Sequence, residues 1–191
     1  MKRCIFLSFF SMMLVSSCST ILVNTTNREG IQENPARRTP GAIVEDQSIE
    51  TIIAVNLKAD SLAFRETRFN VVSHNGVVLL VGQIESDSMK QKATEIIAKA
   101  SSKIKRIHNE LEITKKKGIL SRGNDTWIAT KVRALMLAND QISANQVRVV
   151  VENGAVYLMG ILTESEGDTA ANVARNVVGV TKVIKVFEYI T

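Results

Sequence analysis

Val71-Val72-Ser73-His74-Asn75-Gly76-Val77-Val78-Leu79-Leu80-Val81-Gly82 returns later in the chain as Val149-Val150-Val151-Glu152-Asn153-Gly154-Ala155-Val156-Tyr157-Leu158-Met159-Gly160. In both copies an Asn-Gly pair stands between β-branched runs. Asn and Gly both accept the positive φ of a type I′ turn, so each stretch reads as a tight β-hairpin. His74 falls at the first turn, and Gly82 and Gly160 are expected to close the outgoing strands.

An internal repeat constrains the fold more than any single motif. Helical pattern precedes each hairpin, over 46–60 and 125–139, with Asp46 and Asp125 placed as N-caps. A second helical pattern follows, over about 86–101 and 163–178, opened by Ser86-Asp87 and Thr163-Glu164. Each unit then ends in an alternating strand, Ile107–Ile113 and Val183–Ile190. The order α-β-β-α-β predicts an α+β fold in two tandem copies. Each would have a three-stranded sheet with two helices on one face, burying one apolar side of every element. The first unit spans 45–114 and the second 124–191, joined by a basic linker, 115–123, that contains Lys115-Lys116-Lys117.

Ahead of the repeat, Met1-Lys2-Arg3 is followed by an apolar run from Ile5 to Val15. A basic start and an apolar run too short to span a bilayer predict a signal peptide over residues 1–17. Val15-Ser16-Ser17-Cys18 resembles a lipobox, where diacylglycerol is attached to the thiol and the chain is cleaved before it. Cys18 is therefore the expected lipid anchor, carrying palmitate-type acyl chains. Each buried CH₂ contributes about 0.8 kcal/mol, so two or three chains hold where one would exchange. Residues 18–44, polar and holding both Pro35 and Pro40, read as the lipidated N-terminus and a flexible tether. Ser19 in place of Asp after the cysteine resembles the signal for outer-membrane delivery, with the folded part in the periplasm. The other cysteine, Cys4, is lost with the signal, so no disulfide is expected.

Losing Lys2 and Arg3 lowers the formal charge from +5 to +3. The remainder is uneven, with a cationic run from Lys99 to Arg122 that suits an anionic membrane surface. No nucleic-acid partner is expected. Catalysis needs a nucleophile, an acid–base pair or a held metal. His74 and His108 have no cysteine, serine elbow or second histidine at ligand spacing, and the glycines form hairpins. No catalytic residue, metal or cofactor is expected, and the chain reads as a non-enzyme.

The helix over 125–139 carries the most information. At 100° per residue, Ile128, Val132 and Leu135 share the face expected to pack on the sheet. Trp127, Thr130, Lys131, Ala134 and Leu137 point the other way, with Arg133 at the flank. An indole and a leucine beside cations suit a bilayer interface. The equivalent positions of the first unit are Ser48, Ile52, Ala54 and Lys58 for Trp127, Lys131, Arg133 and Leu137, so that helix lacks the tryptophan and the paired cations. The competing reading buries Trp127 against the first unit or the linker as a domain-contact residue.

The hairpin pattern V-x-V-x-x-x-G-x-V-x-L-x-G, an Ala-rich helix and Gly179-Val180 with Val183 before the last strand resemble the BON domain. The first unit departs from this, with Lys103-Ile104 where Gly-Val is expected. A lipobox followed by two such units, the second opened by Asp125-Thr126-Trp127-Ile128, is similar to the dual-BON outer-membrane lipoproteins, the division- and outer-membrane-stress-associated lipid-binding family. The resemblance covers about 46–191. It implies that the first helix of the second unit binds anionic phospholipid such as phosphatidylglycerol or cardiolipin, through Trp127, Ile128, Lys131, Val132, Arg133 and Leu137. It also implies a role in outer-membrane integrity with enrichment at the division site. The alternative is a protein–protein adaptor that docks an outer-membrane-assembly or peptidoglycan-remodelling protein.

Overall fold

The computed structural model describes residues 34–114 and 121–190. The signal peptide, Cys18 and most of the tether lie outside the described residues, as do 115–120 of the linker.

The first unit begins with α1 (Pro40–Asp60). The Thr39 hydroxyl accepts a hydrogen bond from the Ala42 amide at 3.1 Å, and Pro40 takes the first helical position, where a missing N–H costs nothing. Residues 40–44, expected as tether, are therefore helical. A short α2 (Leu62–Glu66) leads into β1 (Phe69–His74), β2 (Val77–Ile84), α3 (Asp87–Ala100) and β3 (Arg106–Ile113). The second unit repeats the plan with α4 (Ser121–Leu137), β4 (Arg148–Glu152), β5 (Ala155–Leu162), α5 (Glu164–Arg175) and β6 (Lys182–Tyr189). Here too the helix starts early, so 121–123 belong to α4 and not to the linker.

Each sheet has its middle strand paired antiparallel to the strand before it and parallel to the one after. The orders are β1-β2-β3 and β4-β5-β6. Helices cover one face. Ile49, Ile53 and Leu57 of α1 and Ala93 and Ile97 of α3 pack on Val78, Leu80 and Ile84. In the second unit Ile128, Val132 and Met136 of α4 join Ala170, Ala171 and Ala174 of α5 on Val156, Leu158 and Leu162. The buried stripe of α4 follows the i, i+4 row, so its last turn contributes Met136. Leu135, expected in the core, turns outward at 38% exposure.

Asp46 and Asp125 are not N-caps, because each sits inside its helix, buried and facing the hairpin. The Asp46 carboxylate accepts from the amides of Asn75 (2.8 Å) and Gly76 (2.9 Å) and from the Ser73 hydroxyl (2.7 Å). Asp125 accepts from the amides of Asn153 (3.0 Å) and Gly154 (2.9 Å). With φ of 54° and 51° at the two asparagines and 78° and 76° at the glycines, the turns are type I′ as expected. These largely buried turn amides would otherwise be left unpaired against the helix. The replacement of Gly-Val by Lys103-Ile104 does not change the final turn's key bond. The Lys105 amide donates to Gly76 O and the Thr181 amide to Gly154 O, each at 2.9 Å.

Gly82 and Gly160 do not close their strands, which run on to Ile84 and Leu162. They are needed for close approach, since a Cβ would meet the Arg68 carbonyl oxygen at 2.4 Å or that of Gln146 at 2.5 Å.

The second face of each sheet is also covered. Val72, Val77, Leu79 and Val81 of the first unit form one buried cluster with Val150, Ala155, Tyr157, Met159 and Val186 of the second. The two sheets thus lie face to face, with helices outside. The contact has an internal near-twofold relation. Asn75 donates to Glu188 at 2.8 Å, and its counterpart Asn153 donates to Glu112, the counterpart of Glu188, at 3.1 Å. Such reciprocity is the mark of a self-complementary surface.

Candidate functional site

The residues singled out on α4 separate into two groups. Ile128 and Val132 are wholly buried and hold the helix on its sheet. Trp127 is 50% exposed and Leu137 68% exposed, and Lys131 and Arg133 are exposed as well. By helical angle Trp127, Thr130, Ala134 and Leu137 form the outermost stripe, with Lys131 on one flank and Arg133 on the other. At half exposure the indole is not buried beneath the first unit or the linker.

The corresponding face of α1 is more apolar than the four compared positions suggested. Val44 and Val55 are 71% and 59% exposed, and Ile52 is also exposed. What distinguishes α4 is the aromatic ring and the cations, and not apolarity alone.

Arg133 turns inward over the helix edge, donating to the Val149 carbonyl at 2.8 Å. It borders a cleft of about 420 Å³ lined on one side by Thr126, Thr130 and Arg133 and on the other by Arg68, Phe69 and Asn70 of the first unit. Sequence reasoning missed these three. Nothing in their local pattern marks them, because they reach α4 only through the docking of the sheets. One signal of that docking was available: Val77 to Val81 is continuously apolar, where a strand with one wet face would alternate.

The histidines have structural surroundings. His74 is the last residue of β1 and is buried. Burial is the main cause that pushes its pKa down to about 4, Arg38 and Arg148 acting in the same direction and Asp46 against it. Burial likewise lowers His108. Burial pushes the Asp46 carboxyl up, but bonds from Gly76, Ser73, Arg38 and Asn75 outweigh it and leave the group below the ordinary value. Among the described residues no group of three His, Cys, Asp or Glu is placed to hold a metal, and no helix is long and apolar enough to cross a membrane.

Twin α-β-β-α-β units with an Asp-clamped Asn-Gly hairpin define a tandem α+β module whose outer helices are its accessible faces. The chain belongs to the BON domain family, which matches residues 45–115 and 124–191. It is 41% identical over 153 residues to the 21 kDa hemolysin of Actinobacillus pleuropneumoniae, covering 80% of this chain and 78% of that protein. It is 36% identical over 153 residues to outer membrane lipoprotein DolP of Haemophilus influenzae, covering 80% and 79%. A more distant likeness, 25% over 163 residues and 83% and 80% of the two chains, is to osmotically-inducible protein Y of Escherichia coli. The second of these likenesses points to an outer-membrane lipoprotein that carries two BON domains.

Proposed function

We propose that this protein is held at the outer membrane by acyl chains on Cys18 and binds anionic phospholipid through the exposed side of α4, as a binding module and not an enzyme. The observation that carries the reading is the half-exposed Trp127 with Leu137, flanked by Lys131 and Arg133, on a helix anchored by the buried Ile128 and Val132. An indole settles at headgroup depth, and each cation near an anionic surface adds about 1 kcal/mol. The acyl tether raises the local concentration of lipid at the site, so a weak site suffices. The cellular role is maintenance of outer-membrane integrity, with enrichment at the division site.

Residues 19–191, purified without the anchor, should co-float with vesicles containing phosphatidylglycerol or cardiolipin and ignore phosphatidylcholine vesicles. Trp127→Glu should abolish the association. Equal binding to both vesicle types would remove the headgroup preference. Raising salt from 50 to 500 mM (roughly a threefold shorter Debye length) should weaken the binding steeply, whereas docking to an envelope protein through apolar contact should not respond.

A further inference from the structure

The near-twofold relation of the two units gives each outer helix a cleft at its edge, and the two clefts differ in how their charges are paired. In the first unit the groove beside α1 contains Glu50 and Lys58. Glu50 accepts from Arg148 of the second unit at 2.9 Å, so that cation is neutralised within the protein. In the second unit Ala129 takes the place of Glu50, and Asn70 of the first unit takes the place of Arg148. The cations there are Arg133, from α4, and Arg68, from the segment before β1. Among the described residues neither guanidinium has a carboxylate within ion-pair distance. The acidic residues of this cleft are Asp125, whose carboxylate is engaged by the Asn153 and Gly154 amides, and Glu152 at the hairpin.

We infer that the phosphodiester of an anionic lipid headgroup is held in this cleft between Arg68 of the first BON unit and Arg133 of the second, so that headgroup selection requires both units. This rests on the lipid-binding reading of α4 and extends it to a residue outside that helix. Charge complementarity identifies the occupant: two guanidiniums without an ion-pair partner, Arg133 spending one N–H on the Val149 carbonyl, keep fork-shaped donors matched to phosphate oxygens. Thr126 and Thr130 line the same wall, the Thr130 hydroxyl donating to the Thr126 carbonyl at 2.8 Å, and Phe69 supplies apolar surface for the glycerol carbons. The volume, about 420 Å³, is in the range of small-molecule sites. Thr130 also belongs to the outward stripe of Trp127 and Leu137, so a headgroup in the cleft would leave its acyl chains alongside those side chains. The arrangement accounts for two BON units where only one helix carries the tryptophan: the first unit completes the site.

The full chain, reconstituted into phosphatidylcholine nanodiscs with increasing phosphatidylglycerol, provides the test. Trp127 is the sole tryptophan, so its emission reports contact of α4 directly. Arg68→Gln should weaken the apparent affinity for phosphatidylglycerol about fivefold. Arg68→Lys should recover part of it, and Arg65→Gln, a nearby cation outside the cleft, should leave it unchanged. In the unaltered protein the Nε–H resonances of both Arg68 and Arg133 should shift with phosphatidylglycerol and not with phosphatidylcholine. If Arg68→Gln titrates like the unaltered protein, or Arg65→Gln weakens binding equally, the inference is overturned while the proposed function stands. If the emission of the unaltered protein ignores phosphatidylglycerol, both fall together.

Discussion

At the scale of single residues, the most informative side chains are carboxylates and a histidine built into the hairpin turns. Asp46 is spent on turning a hairpin, and its bonds from backbone amides, a hydroxyl and Arg38 are of the charge-assisted kind. Asp46→Ala should lower unfolding stability by about 3 kcal/mol in urea titration, since turn amides are left without partners. The folded-state pKa of Asp46 lies below its ordinary value, so this stabilisation is present at neutral pH and lost as pH falls through the folded-state value. His74 acts earlier on the pH scale. Its folded pKa of about 4 lies below the ordinary 6.5, so the unfolded chain takes up the proton first as pH falls. Stability should drop by about 2 kcal/mol between pH 7 and pH 5 and stop falling from this source below pH 4. A His74→Gln variant should show a flatter profile over the same range.

At the scale of elements, α4 has a core side and an exposed side, and single substitutions should separate packing from the proposed binding. Ile128→Ala opens a cavity against the second sheet and should cost 2–5 kcal/mol, read by thermal unfolding (roughly the range for such core truncations). Leu137→Ala removes an exposed side chain and should change stability by no more than about 0.5 kcal/mol, yet it should weaken vesicle binding several-fold. If Leu137→Ala instead unfolded the protein, the outward orientation of the stripe would be wrong. The same division leaves the buried Ile128 and Val132 to hold the helix in place behind the face proposed to meet lipid.

At the scale of the whole molecule, sheet-to-sheet docking is the defining feature. Tyr157, fully buried at its centre, is shared by neither helical core. Tyr157→Ala should cost about 3–5 kcal/mol and convert a single calorimetric transition into two, because the units would lose the surface that couples them. The docking also neutralises Arg148 through Glu50 while bringing Arg68 to the edge of α4. An interface that first looks purely structural therefore sets which cations of the two outer clefts are paired.

The repeat, the hairpins and the α-β-β-α-β order were legible along the chain because they depend on local chemistry: positive φ at Asn-Gly, helical periodicity, strand propensity. So was the division of α4 into an aromatic, cationic side and a core side, apart from Leu135 and Met136. The role of Asp46 and Asp125, the early helix starts and the covering of the second sheet face were not. Those depend on which distant groups meet, and a carboxylate reads as a cap until a hairpin amide is placed against it. Arg68 beside Arg133 is the plainest case, since two cations far apart in the chain become one cleft only after apolar burial has pressed the sheets together.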